Sequence, residues 1–123
     1  MKKQLEKLKE IIGKSDALVY KEDNHYYLLF PNQTRYDGVL IEQLKPDTIV
    51  VWCYDIPNYS EDNAIKTIVS CFDCKIIIPY IEDNSLLFHL LDIGFKKFDF
   101  SDELVDEDIK EYPSVILEKG EKT

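Results

Sequence analysis

Cys71 and Cys74 bracket two residues in the run Cys71-Phe72-Asp73-Cys74, and a Cys-x-x-Cys pair can do redox work or hold zinc. Redox chemistry of this kind needs the first thiol at a helix N-terminus, where the dipole lowers its pKa. Here the pair follows a predicted helix and meets the opposite end of the dipole. A structural zinc site needs four ligands, commonly two such pairs, and only Cys53, His25 and His89 remain, none of them in a second pair. The pair therefore reads as structural thiols, with a metal- or redox-linked regulator as the weakest alternative. His25 falls in a predicted turn and His89 on a helix flank. Neither has a Ser, Cys or Asp at the spacing of a nucleophilic triad, so no catalytic residue and no metal ligand is assigned.

The densest charge run is acidic: Asp99, Asp102, Glu103, Asp106, Glu107, Asp108 and Glu111. It lacks the Asp-x-Asp-x-Asp-Gly spacing of a calcium loop. It reads either as a solvated loop or as a recognition surface for a basic protein, the device by which small acidic inhibitors imitate phosphates on a Lys/Arg-rich groove. Trp52 and Tyr54, two apart on a predicted strand, are expected on one side of it, as packing or ligand-facing rings. Arg35, the one arginine of the chain, lies beside Tyr36 in a polar loop and suits a carboxylate anchor.

The elements that place these residues follow from hydrophobic period and punctuation. Leu5, Leu8, Ile11 and Ile12 form one stripe over Lys2–Ile12, and Gly13 suits a left-handed stop, which predicts a helix. Ala17–Lys21 and Tyr26–Phe30 flank a hairpin turn. Gly38–Leu44 and Thr48–Ile56 flank a turn set by Pro46. Ser60 stands as the cap of a second helix whose first turn carries Glu61 and Asp62, with Ala64, Ile65, Ile68, Val69 and Phe72 inward. Lys75–Ile81 reads as a strand covered on both faces, because Ile76, Ile77 and Ile78 run without alternation. Asp83 or Asn84 caps a third helix with Leu86, Leu87, Leu90 and Leu91 inward, ended by Gly94. Phe95–Phe100 and Tyr112–Glu118 are the last strands, around the acidic excursion Ser101–Glu111.

The resulting expectation is a single α/β (α+β) domain over residues 1–123, with one mixed sheet, an N-terminal helix and two crossover helices. A chain of 123 residues, 45% hydrophobic with fifteen aromatic residues, suffices for one core. The apolar runs are strand-length and too short for a membrane span. Met1-Lys2-Lys3-Gln4-Leu5-Glu6 lacks the unbroken apolar stretch of a signal peptide, and three cysteines do not make a disulfide scaffold, so the expected compartment is the cytoplasm. Of the net charge of −9, residues 1–60 hold −1 and residues 61–123 hold −8. That field repels nucleic acid and acidic membrane surfaces.

The order of elements is similar to that of the GNAT N-acetyltransferase superfamily. The likeness rests on Asn84 at a helix start, Gly94-Phe95 after that helix, and the closing strand Val115-Ile116-Leu117-Glu118-Lys119. It covers roughly Thr48–Lys119 by order of elements and Asn84–Phe95 by residue type. The resemblance implies coenzyme A bound by its pyrophosphate on backbone N–H groups of a glycine-containing loop, at the start of the helix after the fourth strand. The corresponding stretch, Pro57-Asn58-Tyr59-Ser60-Glu61-Asp62-Asn63-Ala64, has no glycine and no arginine, and puts two carboxylates where the anion would sit. The family's proton-donating Tyr, four residues before the Gly, corresponds to Leu90, which cannot donate a proton.

These departures predict a non-catalytic interaction or inhibitor protein on a GNAT-like scaffold. It carries no cofactor, keeps Ser60, Glu61, Asp62 and Asn63 free of coenzyme, and binds a basic protein through the acidic residues after Phe98. The alternative is an acyl-CoA-dependent N-acetyltransferase with an atypical cofactor loop.

Overall fold

The computed structural model describes residues 1–34 and 37–118 of the chain. Arg35, Tyr36 and Lys119, each singled out in the sequence, lie outside the described residues. The elements run α1 (Lys2–Ile12), β1 (Leu18–Glu22), β2 (His25–Leu29), β3 (Val39–Lys45), β4 (Thr48–Tyr54), α2 (Glu61–Cys71), β5 (Lys75–Ile78), α3 (Asn84–Asp92), β6 (Lys96–Phe98), α4 (Glu107–Lys110) and β7 (Ser114–Leu117). They build the expected α/β architecture around one seven-stranded mixed sheet in the order β1-β2-β3-β4-β5-β7-β6.

Strands β1 to β4 form an antiparallel meander, its first hairpin closed by Asp23 and Asn24, with Asp23 at φ 54°. The α2 crossover then lays β5 parallel to β4. Strand β7 pairs antiparallel with both β5 and β6, so β6 lies parallel to β5 one strand away and α3 is a second crossover.

Helices α1, α2 and α3 share one face of the sheet. Leu5 and Leu8 of α1, Ile65 and Ile68 of α2, and Leu86 and Leu90 of α3 bury against Leu28, Ile41, Ile49, Val51, Ile76, Ile78 and Val115. Each such side chain gives roughly 1.5–3 kcal/mol on leaving water, and this layer holds most of the fold's stabilisation. Ile11, assigned to the inward stripe of α1, is 50% exposed, and the burial of that helix is carried by Leu5 and Leu8.

On the opposite face the buried cluster among the described residues contains no helical residue. Val50, Ile77 and Ile116 are buried there beneath the rings of Trp52 and Phe100. The unalternating Ile76–Ile78 run is thus covered on both sides, by helices on one and by aromatic rings on the other. Phe100, two residues past the end of β6, packs there against the rings of Trp52 and Tyr80, with centroids 5.9 and 5.8 Å away. Tyr80 fastens the segment between β6 and β7, which includes α4, donating its hydroxyl hydrogen to the Phe100 carbonyl at 3.2 Å and accepting the Asp102 amide hydrogen at 3.1 Å.

Two local expectations are corrected, and a third that held two alternatives is resolved to one of them. Trp52 and Tyr54 do not share a side of β4: Trp52 packs over Val50, whereas Tyr54 packs on the helix-side core. The cause is a bulge, since Ile41 pairs with Val51 and Leu40 with Cys53, leaving Trp52 as the extra residue and reversing the alternation beyond it. Ser60 occupies the N-cap position of α2 but makes no side-chain cap bond. For α3 the cap is Asp83, which accepts from the amides of Ser85 and Leu86, so Asn84 is the first helical residue.

Candidate functional site

The site is made by two strands that part company. Strands β4 and β5 pair only at Thr48–Lys75, Ile49–Ile76 and Val50–Ile77, while β4 continues to Tyr54. Strand β4 stays paired with β3 past the bulge at Trp52, up to Val39–Tyr54. Strand β5 stays with β7 instead: its pairing runs to Ile78–Val115, then Tyr80 adopts φ 54° and donates its amide to Ser114 Oγ at 3.0 Å. The amide of Ile81 follows, donating to the Pro113 carbonyl at 2.7 Å.

Two cavities open at this divergence. One, of about 440 Å³, lies between the starts of α2 and α3 and is lined by Ser60, Glu61, Asp62, Asp83, Ser85 and His89, with Leu86. The other, of about 250 Å³, is lined by Trp52, Cys53, Tyr54, Asp55, Tyr59 and Glu61. Glu61 borders both. Trp52 and Tyr54 border the second cavity from opposite faces of β4, beyond the last β4–β5 pair at Val50–Ile77.

The electrostatics of both cavities are negative. Burial pushes the Tyr54 hydroxyl up to about 12, with the charges of Glu61, Cys53 and Asp83 adding to the shift. Burial likewise raises the Cys53 thiol, helped by Asp37 and Asp55. Asp62 is held below the ordinary carboxylate value, first by a hydrogen bond from the Ser60 side chain, then by its own amide, by His89 and by the Asn63 amide. His89 Nε2 stands 3.6 Å from Asp62 Oδ2, and among the described residues it has no hydrogen-bond partner. Both helix starts are thus occupied by the chain's own carboxylates, Asp62 at α2 and Asp83 at α3.

Ser60, Glu61, Asp62 and Asn63, marked in the sequence as the place to look for a coenzyme, lie together at the start of α2, and the first three line the larger cavity. Leu90 is fully buried in the core. Cys71 is buried at the end of α2 and Cys74 half-buried before β5, neither in a disulfide. Among the described residues no group of three His, Cys, Asp or Glu side chains could hold a metal ion. His25 opens β2 rather than lying in the turn, with Nε2 3.7 Å from Glu42 Oε1.

The seven acidic residues after Phe98 stay together on the β6–β7 connection. Asp99, Glu103, Asp106, Glu107, Asp108 and Glu111 are exposed; Asp102 is half-buried, its carboxylate accepting the Leu104 amide at 2.9 Å. One ammonium answers them within the segment, Lys110, 3.5 Å from Glu107. Leu104, between Glu103 and Val105, is 94% exposed.

Sequence reasoning missed Asp55, Tyr59 and Tyr80. Tyr59 and Asp55 enter the site through the turn after β4, and only the bulge at Trp52, which no residue type announces, brings them beside Trp52. In comparisons with known proteins, no family model, no curated protein and no solved structure matches the chain. Among the described residues no helix is long and apolar enough to cross a membrane.

Proposed function

We propose that this protein is a non-catalytic interaction module on a GNAT-like scaffold, which docks a basic protein partner on the acidic β6–β7 connection. The observation that carries the proposal is the disposition of that connection: six exposed carboxylates and one half-buried one, with Lys110 the one ammonium paired to them among the described residues, on a segment fastened to the sheet by Tyr80. A solvated loop needs no such anchoring. A docking surface gains from it, because charges already held in place lose less conformational freedom on binding. Electrostatic complementarity of this kind sets partner choice and association rate.

The scaffold part of the proposal rests on the run β4-α2-β5-α3-β6-β7, which follows the order on which the resemblance was drawn. The parting of β4 from β5 beside the start of α2 favours a second reading, the acyl-CoA-dependent N-acetyltransferase, since it supplies a space next to the helix start that such a cofactor needs. Against that reading stand Glu61, Asp62 and Asp83 lining the space, each of which repels a pyrophosphate.

Calorimetric titration with a lysine-rich peptide and, separately, with acetyl-CoA tests both. The proposal expects peptide affinity that falls steeply with salt and drops at least about tenfold when Asp99, Asp106, Asp108 and Glu111 are changed to Asn or Gln. Peptide binding that ignores both salt and those substitutions overturns it. Micromolar acetyl-CoA binding establishes the second reading instead.

A further inference from the structure

The smaller cavity has a composition of its own. Three aromatic side chains, Trp52, Tyr54 and Tyr59, and two carboxylates, Asp55 and Glu61, meet around about 250 Å³. Among the described residues no lysine or arginine lines it. Asp55 accepts a hydrogen bond from Gln33 Nε2 at 3.2 Å, and neither Asp55 nor Glu61 is ion-paired among the described residues.

The rings are held in place before anything binds. The Trp52 indole donates to Glu42 Oε1 at 2.9 Å and lies edge-on to Phe100, with ring centroids 5.9 Å apart. Tyr54 is packed on the helix-side core, and so is Tyr59, whose amide donates to the Ile56 carbonyl at 3.1 Å.

We infer that the cavity bounded by Trp52, Tyr54, Tyr59, Asp55 and Glu61 is a binding site for an alkylammonium group. Aromatic faces attract a cation through the ring quadrupole, and carboxylates supply the countercharge. An anion meets repulsion from both carboxylates. A neutral alkyl group gains contact with the rings but leaves those carboxylates unanswered. The volume falls below the roughly 300–1,000 Å³ of sites for drug-sized ligands, and suits a charged head with a few methylenes. Two sources present that chemistry, a free alkylamine and the side chain of a lysine on another protein. The site is distinct from the acidic β6–β7 connection and stands or falls apart from it.

Trp52 is the single tryptophan of the chain, so its fluorescence reports on the cavity directly. The full-length protein is titrated with n-butylammonium, with n-butanol as the uncharged control, and with a short peptide carrying one lysine in acetylated and unacetylated forms. A saturable change is expected with n-butylammonium and none with n-butanol. Glu61→Gln and Tyr59→Leu each weaken binding about three- to fivefold, the size of one exposed cation–π or charge contact. Glu61 is exposed, so its replacement does not endanger the fold. A peptide that binds at least about tenfold tighter than n-butylammonium, and only when unacetylated, identifies a protein lysine as the occupant; equal affinity identifies the free amine. An identical response to n-butanol, or one untouched by both substitutions, overturns the inference. Neutralising Asp99, Asp106, Asp108 and Glu111 leaves the n-butylammonium response in place, which separates this site from the proposed docking surface.

Discussion

Tyr80 holds Asp102 across 22 positions of sequence: the phenol oxygen accepts the Asp102 amide at 3.1 Å while its hydrogen goes to the Phe100 carbonyl at 3.2 Å. The backbone of the same residue stands at φ 54° just past the last β4–β5 pair, so one residue combines a left-handed turn after β5 with the anchoring of the acidic segment. Non-glycine residues at such φ store strain of order 1–3 kcal/mol, tolerated where surrounding bonds over-determine the backbone.

Tyr80→Phe removes both hydroxyl bonds and keeps the ring over Trp52. The expected loss is about 1–2 kcal/mol in denaturant unfolding, at a net contribution near 1 kcal/mol per bond. Amide exchange at Asp102 accelerates while Ile77, in the sheet core, keeps its protection. Unchanged protection at Asp102 in the variant rules out the anchoring role.

Gly38 and Gly13 carry a contrasting pair of predictions. Both adopt left-handed φ, 74° and 77°. At Gly38 a Cβ would meet the Leu28 carbonyl oxygen at 2.5 Å and Gln33 Oε1 at 2.9 Å; at Gly13 it would meet nothing within 4 Å. Gly13→Ala therefore costs about 1 kcal/mol, the conformational penalty alone. Gly38→Ala adds a backbone clash and costs about 2–4 kcal/mol. Because the Gly38 carbonyl accepts the Asp55 amide and Gln33 holds the Asp55 carboxylate, the second variant also disturbs the alkylammonium cavity. Thermal unfolding of the two variants side by side checks the ordering, and equal losses contradict it.

Tyr54 gives a pH signature. Its folded pKa of about 12 stands above the ordinary 10 because burial, Glu61, Cys53 and Asp83 all disfavour the phenolate. The folded state therefore holds a proton that the unfolded state releases first. Stability from this group is complete below pH 10 and is lost as the pH rises through 10 toward 12. Tyr54→Phe abolishes that portion of the alkaline loss, seen as a flatter unfolding profile over that range. Glu61→Gln lowers the Tyr54 value by removing the largest of the charge contributions that raise it. Difference tyrosinate absorbance between the parent and Tyr54→Phe proteins reads the shift, and a difference titration centred at 10 refutes it.

The legibility of this chain follows from where its information is local. The helix Lys2–Ile12 was readable to the residue because Gly13 stops it and one apolar stripe runs along it. The two crossovers were readable because Ala64, Ile65 and Ile68 of α2 and the leucines of α3 recur at helical spacing, on either side of the unalternating strand run Ile76–Ile78. The opposite faces of Trp52 and Tyr54 were not readable: a bulge depends on how β3 meets β4, and every residue around it has ordinary strand character. Ser60 misled for a related reason. A serine before two acidic residues has the composition of a cap, but its hydroxyl is drawn to the Asp62 carboxylate instead of a backbone amide. The acidic segment was legible as charge and not as architecture, since nothing in Ser101–Glu111 announces that Tyr80 fastens it.

The two helix starts at the site supply the last prediction. Asp83 caps α3 through two amides, at 2.8 Å and 3.4 Å, so Asp83→Ala costs about 1 kcal/mol, within the usual 0.5–2 kcal/mol for a cap. Ser60→Ala removes no cap bond, and its loss in unfolding experiments is smaller. What it removes is the largest of the interactions that lower the Asp62 pKa. A carboxylate whose folded pKa is depressed contributes stability above its unfolded value and loses it as the pH falls through the folded one. In Ser60→Ala the folded value moves up toward the unfolded one, so the Asp62 contribution shrinks and disappears at a higher pH. Carboxyl-carbon NMR titration of Asp62 in the two proteins measures the movement directly. A downward shift, or a Ser60→Ala protein less stable than Asp83→Ala, contradicts the assignment of these two residues to their different tasks.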